Sequence, residues 1–150
     1  MKPFGLKGPL AVWNLLLALF SFVGFLRTAP HLINFLSRNG FYASVCIPAE
    51  TNYGNGAVGL WTMLFIWSKV PELFDTAFVI LRRKPLLFLH WYHHATVLMY
   101  CWHSYATGSS AGLYFIAMNY GVHALMYFCE LASVYAPVRI IGSRVLVHES

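Results

Sequence analysis

The chain has 150 residues, of which 59% are hydrophobic, 17% aromatic and only 10% charged, and its mean hydropathy is +0.60. Water-soluble domains carry about a quarter charged residues, so this composition excludes an ordinary soluble domain and predicts an integral membrane protein. The net charge of +5 does not indicate nucleic-acid binding, because the ten basic residues are scattered and form no basic stripe. Three cysteines without CxxC spacing predict neither a disulfide framework nor a cysteine zinc site.

Four apolar segments have the length of a membrane-crossing helix, which needs about 20 residues to cover roughly 30 Å of hydrocarbon. In chain order they are residues 10–26, 57–81, 86–105 and 112–135. Their apolar residues do not alternate as they do in barrel strands, so helices are predicted. The predicted fold class is therefore all-α, a multi-pass integral membrane protein with four transmembrane helices.

The connections between these segments contain turn signals and basic residues that predict their placement. Residues 28–56, with "SRNG" and "TNYGNG", are predicted to form a lumenal connection with room for a short interfacial helix, and "ATGSSAG" a short lumenal turn. Lysine and arginine favour cytosolic loops, and Arg27 and Arg38 alone fall on the lumenal side. The predicted cytosolic set is Lys2, Lys7, Arg82, Arg83, Lys84, Arg139 and Arg144.

Three histidines lie within the third apolar segment, in the sequence "HWYHH". His90, His93 and His94 are spaced i, i+3, i+4, so on a helix they share one face. Imidazole nitrogens buried without partners cost free energy. Their convergence predicts either a metal site or acyl-transfer and proton chemistry.

The second segment carries charges in "KVPELFDT". Each charge in a span costs roughly 2.5–3.5 kcal/mol by insertion scales, so such residues are functional candidates. Lys69, Glu72 and Asp75 step by three, and Thr76 follows Glu72 by four, which predicts one polar stripe. Pro71 is predicted to interrupt the helix. The alternative is a cytosolic helix end at which Lys69 and Glu72 merely neutralise each other.

The fourth segment places Asn119, His123 and Tyr127 at i, i+4, i+8, hence on one face. A lone histidine in an apolar helix is usually a satisfied core residue, but beside the "HWYHH" box and the acidic stripe His123 is a catalytic candidate. The remaining histidines are predicted to be non-catalytic: His31, His103 and His148.

Two chemistries fit a histidine box. A two-iron centre needs several boxes, and this chain has one box and one further histidine inside a span. A single zinc ion on three histidines from about one helical turn would be cramped, although it stays open as the less favoured alternative. Without a metal, a neutral imidazole can accept an acyl group from a thioester or act as a general base. No metal and no cofactor are predicted.

Four sequence stretches, in order and spacing, carry a resemblance: "PLAVWNLLLALFSFVGFLRT", "KVPELFDT", "FLHWYHHATVLMYCWHSY" and "MNYGVHALMY". They resemble the elongation of very long chain fatty acids protein family, in particular the branch that handles saturated and monounsaturated acyl chains. The resemblance covers about residues 3–127. It implies a fragment of a seven-helix fold, because the first span and everything after the fifth are lacking.

The resemblance implies a very-long-chain 3-oxoacyl-CoA synthase of the endoplasmic reticulum membrane. Such an enzyme condenses long-chain acyl-CoA with malonyl-CoA and releases carbon dioxide. It implies that His93 carries the acyl group, that His90 and His94 orient it, and that His123 assists malonyl decarboxylation or stabilises the enolate. The residues implied to surround the thioester and CoA arm are Lys69, Glu72, Asp75, Thr76, Asn119 and Tyr127.

Residues 128–150 match no pattern of this family, so the chain is predicted to divide into a partial elongase membrane domain, 1–127, and a divergent helix end and cytosolic tail. The expected partners are the two CoA substrates, the lipid bilayer, other enzymes of the elongation cycle and a second copy of the chain, with no nucleic acid. Two rival functions stay open: a metal-dependent desaturase or hydroxylase, and an inactive relative that pairs with full-length elongases.

Overall fold

The computed structural model describes residues 7–81 and 88–135, and within these ranges all regular structure is helical. In chain order the helices are α1 (Lys7–Cys46), α2 (Ala49–Asn52), α3 (Gly56–Ser68), α4 (Leu73–Leu81), α5 (Phe88–Ala106) and α6 (Gly112–Tyr135). The predicted all-α class is confirmed. α6 begins where the sequence predicts, and Gly108, with φ of 62°, lies in the predicted turn before it.

The expected connection after the first span is wrong for its first part, because the helix of the first span continues to the kink at Gly40, and a second helical stretch follows it to Cys46. Pro30 lies inside this helix and cannot donate to the carbonyl four residues earlier. Tertiary packing compensates, since Leu32 contacts a buried cluster that contains Tyr53 and Leu113. The "SRNG" signal is nevertheless real: Gly40 has φ of 77° and breaks the helical path, a conformation glycine adopts without steric cost.

The second predicted span is two helices rather than one. α3 ends at Ser68 and α4 begins at Leu73, with residues 69–72 forming a turn around Pro71. The predicted interruption at Pro71 is thus confirmed, and the polar residues of "KVPELFDT" lie in and just after this break.

α1 and α6 pack against each other along much of their lengths and form the main seam of the bundle. The two helices approach each other closely because a glycine of each helix faces an aromatic ring of the other. A Cβ atom placed on Gly24 would lie 2.5 Å from the Tyr120 ring, and one on Gly121 would lie 3.1 Å from the Phe25 ring. Tyr120 also belongs to the central cluster with Phe65 of α3 and Cys101 of α5. This seam fixes α6 relative to α1.

Among the described residues, one helix, Gly8–Cys46, is both long and apolar enough to cross a membrane. Its outer face exposes large apolar side chains such as Leu16 and Phe22. A single such helix is weak evidence by itself, so the four predicted spans stay a prediction. The basic residues at 82–84, 139 and 144, and His148, lie outside the described residues, and the predicted orientation is therefore untested.

Candidate active site

The turn between α3 and α4 aligns its polar side chains through tight backbone hydrogen bonding. Pro71 has no N–H, and the amides around it bond three residues back: Val70 to the Trp67 carbonyl at 3.2 Å and Asp75 to the Glu72 carbonyl at 3.1 Å. Side chains at i and i+3 eclipse in such 3₁₀-like geometry. Lys69, Glu72 and Asp75 therefore follow one another on the same side, as the sequence predicted.

Lys69 and Glu72 form a buried ion pair, with only 4% and 5% of their surfaces exposed. Lys69 Nζ donates to Glu72 Oε1 at 2.7 Å and Oε2 at 2.9 Å, and to Asn119 Oδ1 of α6 at 2.8 Å. Ser68 Oγ lies 3.1 Å from the same carboxylate. Removing two charges from water is unfavourable unless their hydrogen bonds are complete. Here both charged groups have hydrogen-bond partners, and the bond to Asn119 connects the ion pair to α6.

Asp75 receives one hydrogen bond on each carboxyl oxygen, from two different helices. Trp13 Nε1 of α1 donates to Oδ1 at 2.6 Å, and the Tyr127 hydroxyl of α6 donates to Oδ2 at 2.5 Å. Tyr127 was a predicted site residue, but Trp13 was missed. The available signal was chemical: a half-buried tryptophan usually places its N–H on an acceptor, yet nothing local indicates which acceptor.

His123 is 6% exposed and lies between these two groups. Its Nδ1 is 3.7 Å from Glu72 Oε2, too far for a hydrogen bond, and has no hydrogen-bond partner among the described residues. Its ring meets that of Tyr127 edge to face, with centroids 5.6 Å apart. The hydroxyl of Thr76 is likewise buried without a partner within the described ranges. Two polar atoms are thus left available beside the ion pair.

The histidine box lies on α5, with a more open environment than His123. His93 is exposed and His94 half-buried, and their rings meet edge to face at 5.8 Å. α5 contacts both α3 and α4, the two helices that flank the turn. The side chain of His90 lies outside the described residues. The structure thus brings the box, His123 and the α3–α4 turn into one region, of which the α5 side is uncovered.

Two histidines predicted to be non-catalytic lie away from this region. His31 Nε2 donates to the Asn52 carbonyl at 3.0 Å, at the far end of α1. His103 is exposed on α5 and follows His94 by about two and a half turns, so it projects from the opposite side of that helix.

No group of three or more His, Cys, Asp or Glu in the described part of the chain is arranged to hold a metal ion. Because the His90 side chain lies outside that part, the predicted absence of a metal stays a prediction.

A cavity of about 330 Å³ lies between α3, α5 and α6, at the end of α5 remote from the box. Its walls include Thr62, Phe65, Cys101, Ser104 and Phe115, and none of the predicted site residues lines it. Cys101 follows His94 by seven residues, so it lies on the same face of α5. One helix face thus connects the box to the cavity.

The sequence model of the GNS1/SUR4 family matches residues 1–141. The chain belongs to this family. The matched range includes residues 128–141, beyond the point where the motif resemblance ended; the predicted division at residue 127 stays a prediction.

Three relatives show how far the likeness extends. Very long chain fatty acid elongase 6 of Drosophila melanogaster is 50% identical over 141 residues, covering 93% of this chain and 44% of that protein. Putative fatty acid elongase 3 of Caenorhabditis elegans is 52% identical over 84% of this chain and 39% of its own length. Very long chain fatty acid elongase 6 of Homo sapiens is 48% identical over 143 residues, covering 95% of this chain and 51% of that protein. The chain spans about half the length of the curated relatives it matches. No solved structure matches it.

Proposed function

We propose that this GNS1/SUR4 family chain carries the acyl-transfer centre of a fatty acid elongase, a very-long-chain 3-oxoacyl-CoA synthase. The observation that carries the proposal is the meeting of three elements: the buried Lys69–Glu72–Asn119 network, the unpaired nitrogen of His123, and α5, which carries the box histidines and contacts both helices that flank the turn. Fatty acid elongation is also the function in the names of the relatives above. The substrates are long-chain saturated or monounsaturated acyl-CoA and malonyl-CoA.

In the first step, a ring nitrogen of His93 attacks the thioester carbonyl of the acyl-CoA. The carbon–sulfur bond breaks, the CoA thiolate leaves and takes up the proton that the imidazole loses, and the acyl group remains on the ring. The exposure of His93 supports this role, because a bulky thioester must approach it. His94 and His90 orient the ring and tune its basicity.

In the second step, malonyl-CoA loses carbon dioxide and its enolate carbon attacks the acyl group on His93. The carbon–nitrogen bond breaks, 3-oxoacyl-CoA leaves, and the imidazole takes up from water the one proton that the overall reaction consumes. His123 Nδ1, buried without a partner, is suited to stabilise the enolate oxygen. The Thr76 hydroxyl is the second available group and is assigned to the thioester.

The remaining polar residues are assigned mainly to hold this arrangement. Lys69 directs its hydrogen bonds to Glu72 and Asn119, and Asp75 receives those of Tyr127 and Trp13. These polar residues are assigned to one side of the thioester and CoA arm. The basic segment 82–84 lies outside the described residues. The acyl tail is assigned to the face of α5 that leads from His94 to the cavity beside Cys101, about 10 Å along the helix.

The proposed setting is the endoplasmic reticulum membrane, with the bilayer, a second copy of the chain and other elongation enzymes as partners. One observation favours a second function: the exposed large side chains of α5 suit an inactive membrane relative that pairs with other elongases. A metal-dependent desaturase or hydroxylase has no such support from the described residues.

Incubation of the chain in proteoliposomes with palmitoyl-CoA alone tests the proposal. Peptide mass spectrometry is expected to find a palmitoyl adduct on the box peptide, lost in His93→Ala and retained in His103→Ala. An adduct absent from wild type, or unchanged in His93→Ala, would contradict the acyl-imidazole mechanism. Iron bound at one or more per chain would favour the oxidase alternative.

A further inference from the structure

The helix that precedes the histidine box, α4, contributes no fully buried residue to the bundle. Helices in proteins owe most of their stability to tertiary packing, so the position of α4 depends on the contacts that its side chains make. Three of these contacts, two between rings and one hydrogen bond, are with Trp13 of α1.

Trp13 contacts three residues of α4 within about one helical turn. Its indole ring lies 6.1 Å from the Phe74 ring, edge to face, and 6.0 Å from the Phe78 ring, while its N–H donates to the intervening Asp75. The tryptophan is itself held by packing on Leu17, Ala18 and Tyr127. One side chain therefore fixes both the depth and the rotation of α4.

The other oxygen of Asp75 accepts from Tyr127, whose ring contacts His123. Asp75 thus joins α1, α4 and α6 at one point. α4 is in contact with α5, the helix that carries the box. A shift of α4 therefore changes the packing of α5.

We propose that Trp13 is a positioning residue of the acyl-transfer site. It seats α4 through Asp75, Phe74 and Phe78, and α4 in turn holds the box of α5 in register with His123 and Tyr127. Trp13 touches no substrate in this arrangement. The effect of Trp13 on acyl transfer rests on the proposed function, whereas the contact between Trp13 and α4 can be measured without any activity.

The contact is tested by ¹⁹F NMR of the chain in nanodiscs, with its five tryptophans replaced by 5-fluorotryptophan. The resonance that disappears in Trp13→Phe is that of Trp13. Asp75→Asn is expected to move this resonance, whereas Glu50→Gln, which neutralises an exposed carboxylate on α2, leaves it in place. A Trp13 resonance unmoved by Asp75→Asn would overturn the inference.

The consequence is tested by the rate of adduct formation with palmitoyl-CoA. Trp13→Phe keeps an aromatic ring but loses the N–H, and is expected to slow acylation about tenfold, with the half-saturating palmitoyl-CoA concentration unchanged. Trp61→Phe, in the core cluster away from α4, is the matched control and is expected to keep the wild-type rate constant. A merely structural role would lower the fraction of chains acylated, not the rate constant.

The decisive comparison is between the effects of Trp13→Phe in the wild-type and in the Asp75→Asn background. If Trp13 acts through Asp75, then Trp13→Phe should cost nothing further in an Asp75→Asn background. Equal rates for wild type and Trp13→Phe, or fully additive effects, would overturn the inference while the proposed function stands. A wild-type chain that forms no adduct would overturn the proposed function and with it this role, even where the fluorine shift establishes the contact.

Discussion

The α1–α6 seam and the α5 helix differ in how much of their surface other described residues cover. At the seam, glycine and aromatic side chains interlock, and Tyr120 and Tyr127 are 2% and 1% exposed. Along α5, large side chains such as Trp91, Tyr92 and Met99 are exposed, the last by 72%. The half of the candidate site that belongs to the seam, His123 and Tyr127, is therefore buried and fixed, whereas His93 on α5 is exposed.

This difference separates two requirements of acyl-transfer chemistry. A group that stabilises developing charge must be held rigidly in a dry environment, which the seam provides for His123. A nucleophile must meet a large thioester, which the exposed position of His93 permits. Condensation needs the charge-stabilising group and the nucleophile together in a space closed to water. We therefore expect the uncovered side of α5 to limit condensation by the chain alone.

The largest expected effect comes from the nucleophile. In a version of the chain extended to the length of its relatives, His93→Ala is expected to abolish condensation of palmitoyl-CoA with malonyl-CoA, because no acyl-imidazole forms. His103→Ala, about 15 Å further along α5, should leave the rate largely intact. Formation of 3-oxoacyl-CoA from labelled malonyl-CoA measures both, and near-normal product from His93→Ala would show that another residue carries the acyl group.

The second effect comes from the open side of α5. The 150-residue chain alone is expected to insert into membranes but not to complete condensation, because each methylene of an acyl tail gains about 0.8 kcal/mol only when it is buried. The measurement is product formation in liposomes free of other elongases, beside the longer Drosophila relative as the positive control. A rate close to that of the relative would mean that this chain encloses the tail unaided.

The third effect concerns the free energy of unfolding and follows from breaking the buried ion pair. Lys69→Met leaves the Glu72 carboxylate buried without its cation, which is expected to destabilise the fold by about 3–5 kcal/mol. The Lys69→Met/Glu72→Gln double variant should recover part of this loss, since no unpaired charge remains. The midpoint of unfolding by SDS in mixed micelles reports both changes. A Lys69→Met chain as stable as wild type would mean that water or lipid headgroups reach Glu72.

The seam itself can be loosened by one methyl group. Gly24→Ala places a Cβ atom 2.5 Å from a Tyr120 ring that is anchored by a hydrogen bond of 3.0 Å to the Trp61 carbonyl. Overpacking is expected to lower the free energy of unfolding by about 1–2 kcal/mol. Gly8→Ala is the matched control because nothing lies within 4 Å of its Cβ position, and it should cause no loss. Equal midpoints for the two variants would argue that α1 and α6 are not held this closely.

The smallest expected effect is that of a chelator. Because one histidine box provides too few ligands for a two-iron centre, treatment with EDTA is expected to leave adduct formation unchanged, and elemental analysis to find no stoichiometric iron or zinc. Tightly bound metal at one per chain, lost together with activity, would shift the interpretation to the oxidase alternative.

Much of the site was predictable because its residues recur at helical spacing. The i, i+3, i+4 pattern of the box and the i, i+4, i+8 pattern of Asn119, His123 and Tyr127 follow from the geometry of one helix. The interruption at Pro71 follows from the chemistry of proline. The length of α1 was not predictable in this way, because Pro30 is a helix-breaking signal that packing of Leu32 against Tyr53 and Leu113 overrides.

The sequence by itself determined the all-α class, the family, the faces on which the polar side chains project and the break that gathers Lys69 and Glu72. Only the tertiary structure decided that Trp13 donates to a carboxylate 62 residues away, that His123 is buried and that His93 is exposed. Periodicity and propensity act over a few residues, whereas these properties depend on how helices far apart in the chain cross. Close packing at the Gly24–Tyr120 and Gly121–Phe25 contacts sets that crossing, and with it which half of the site is covered.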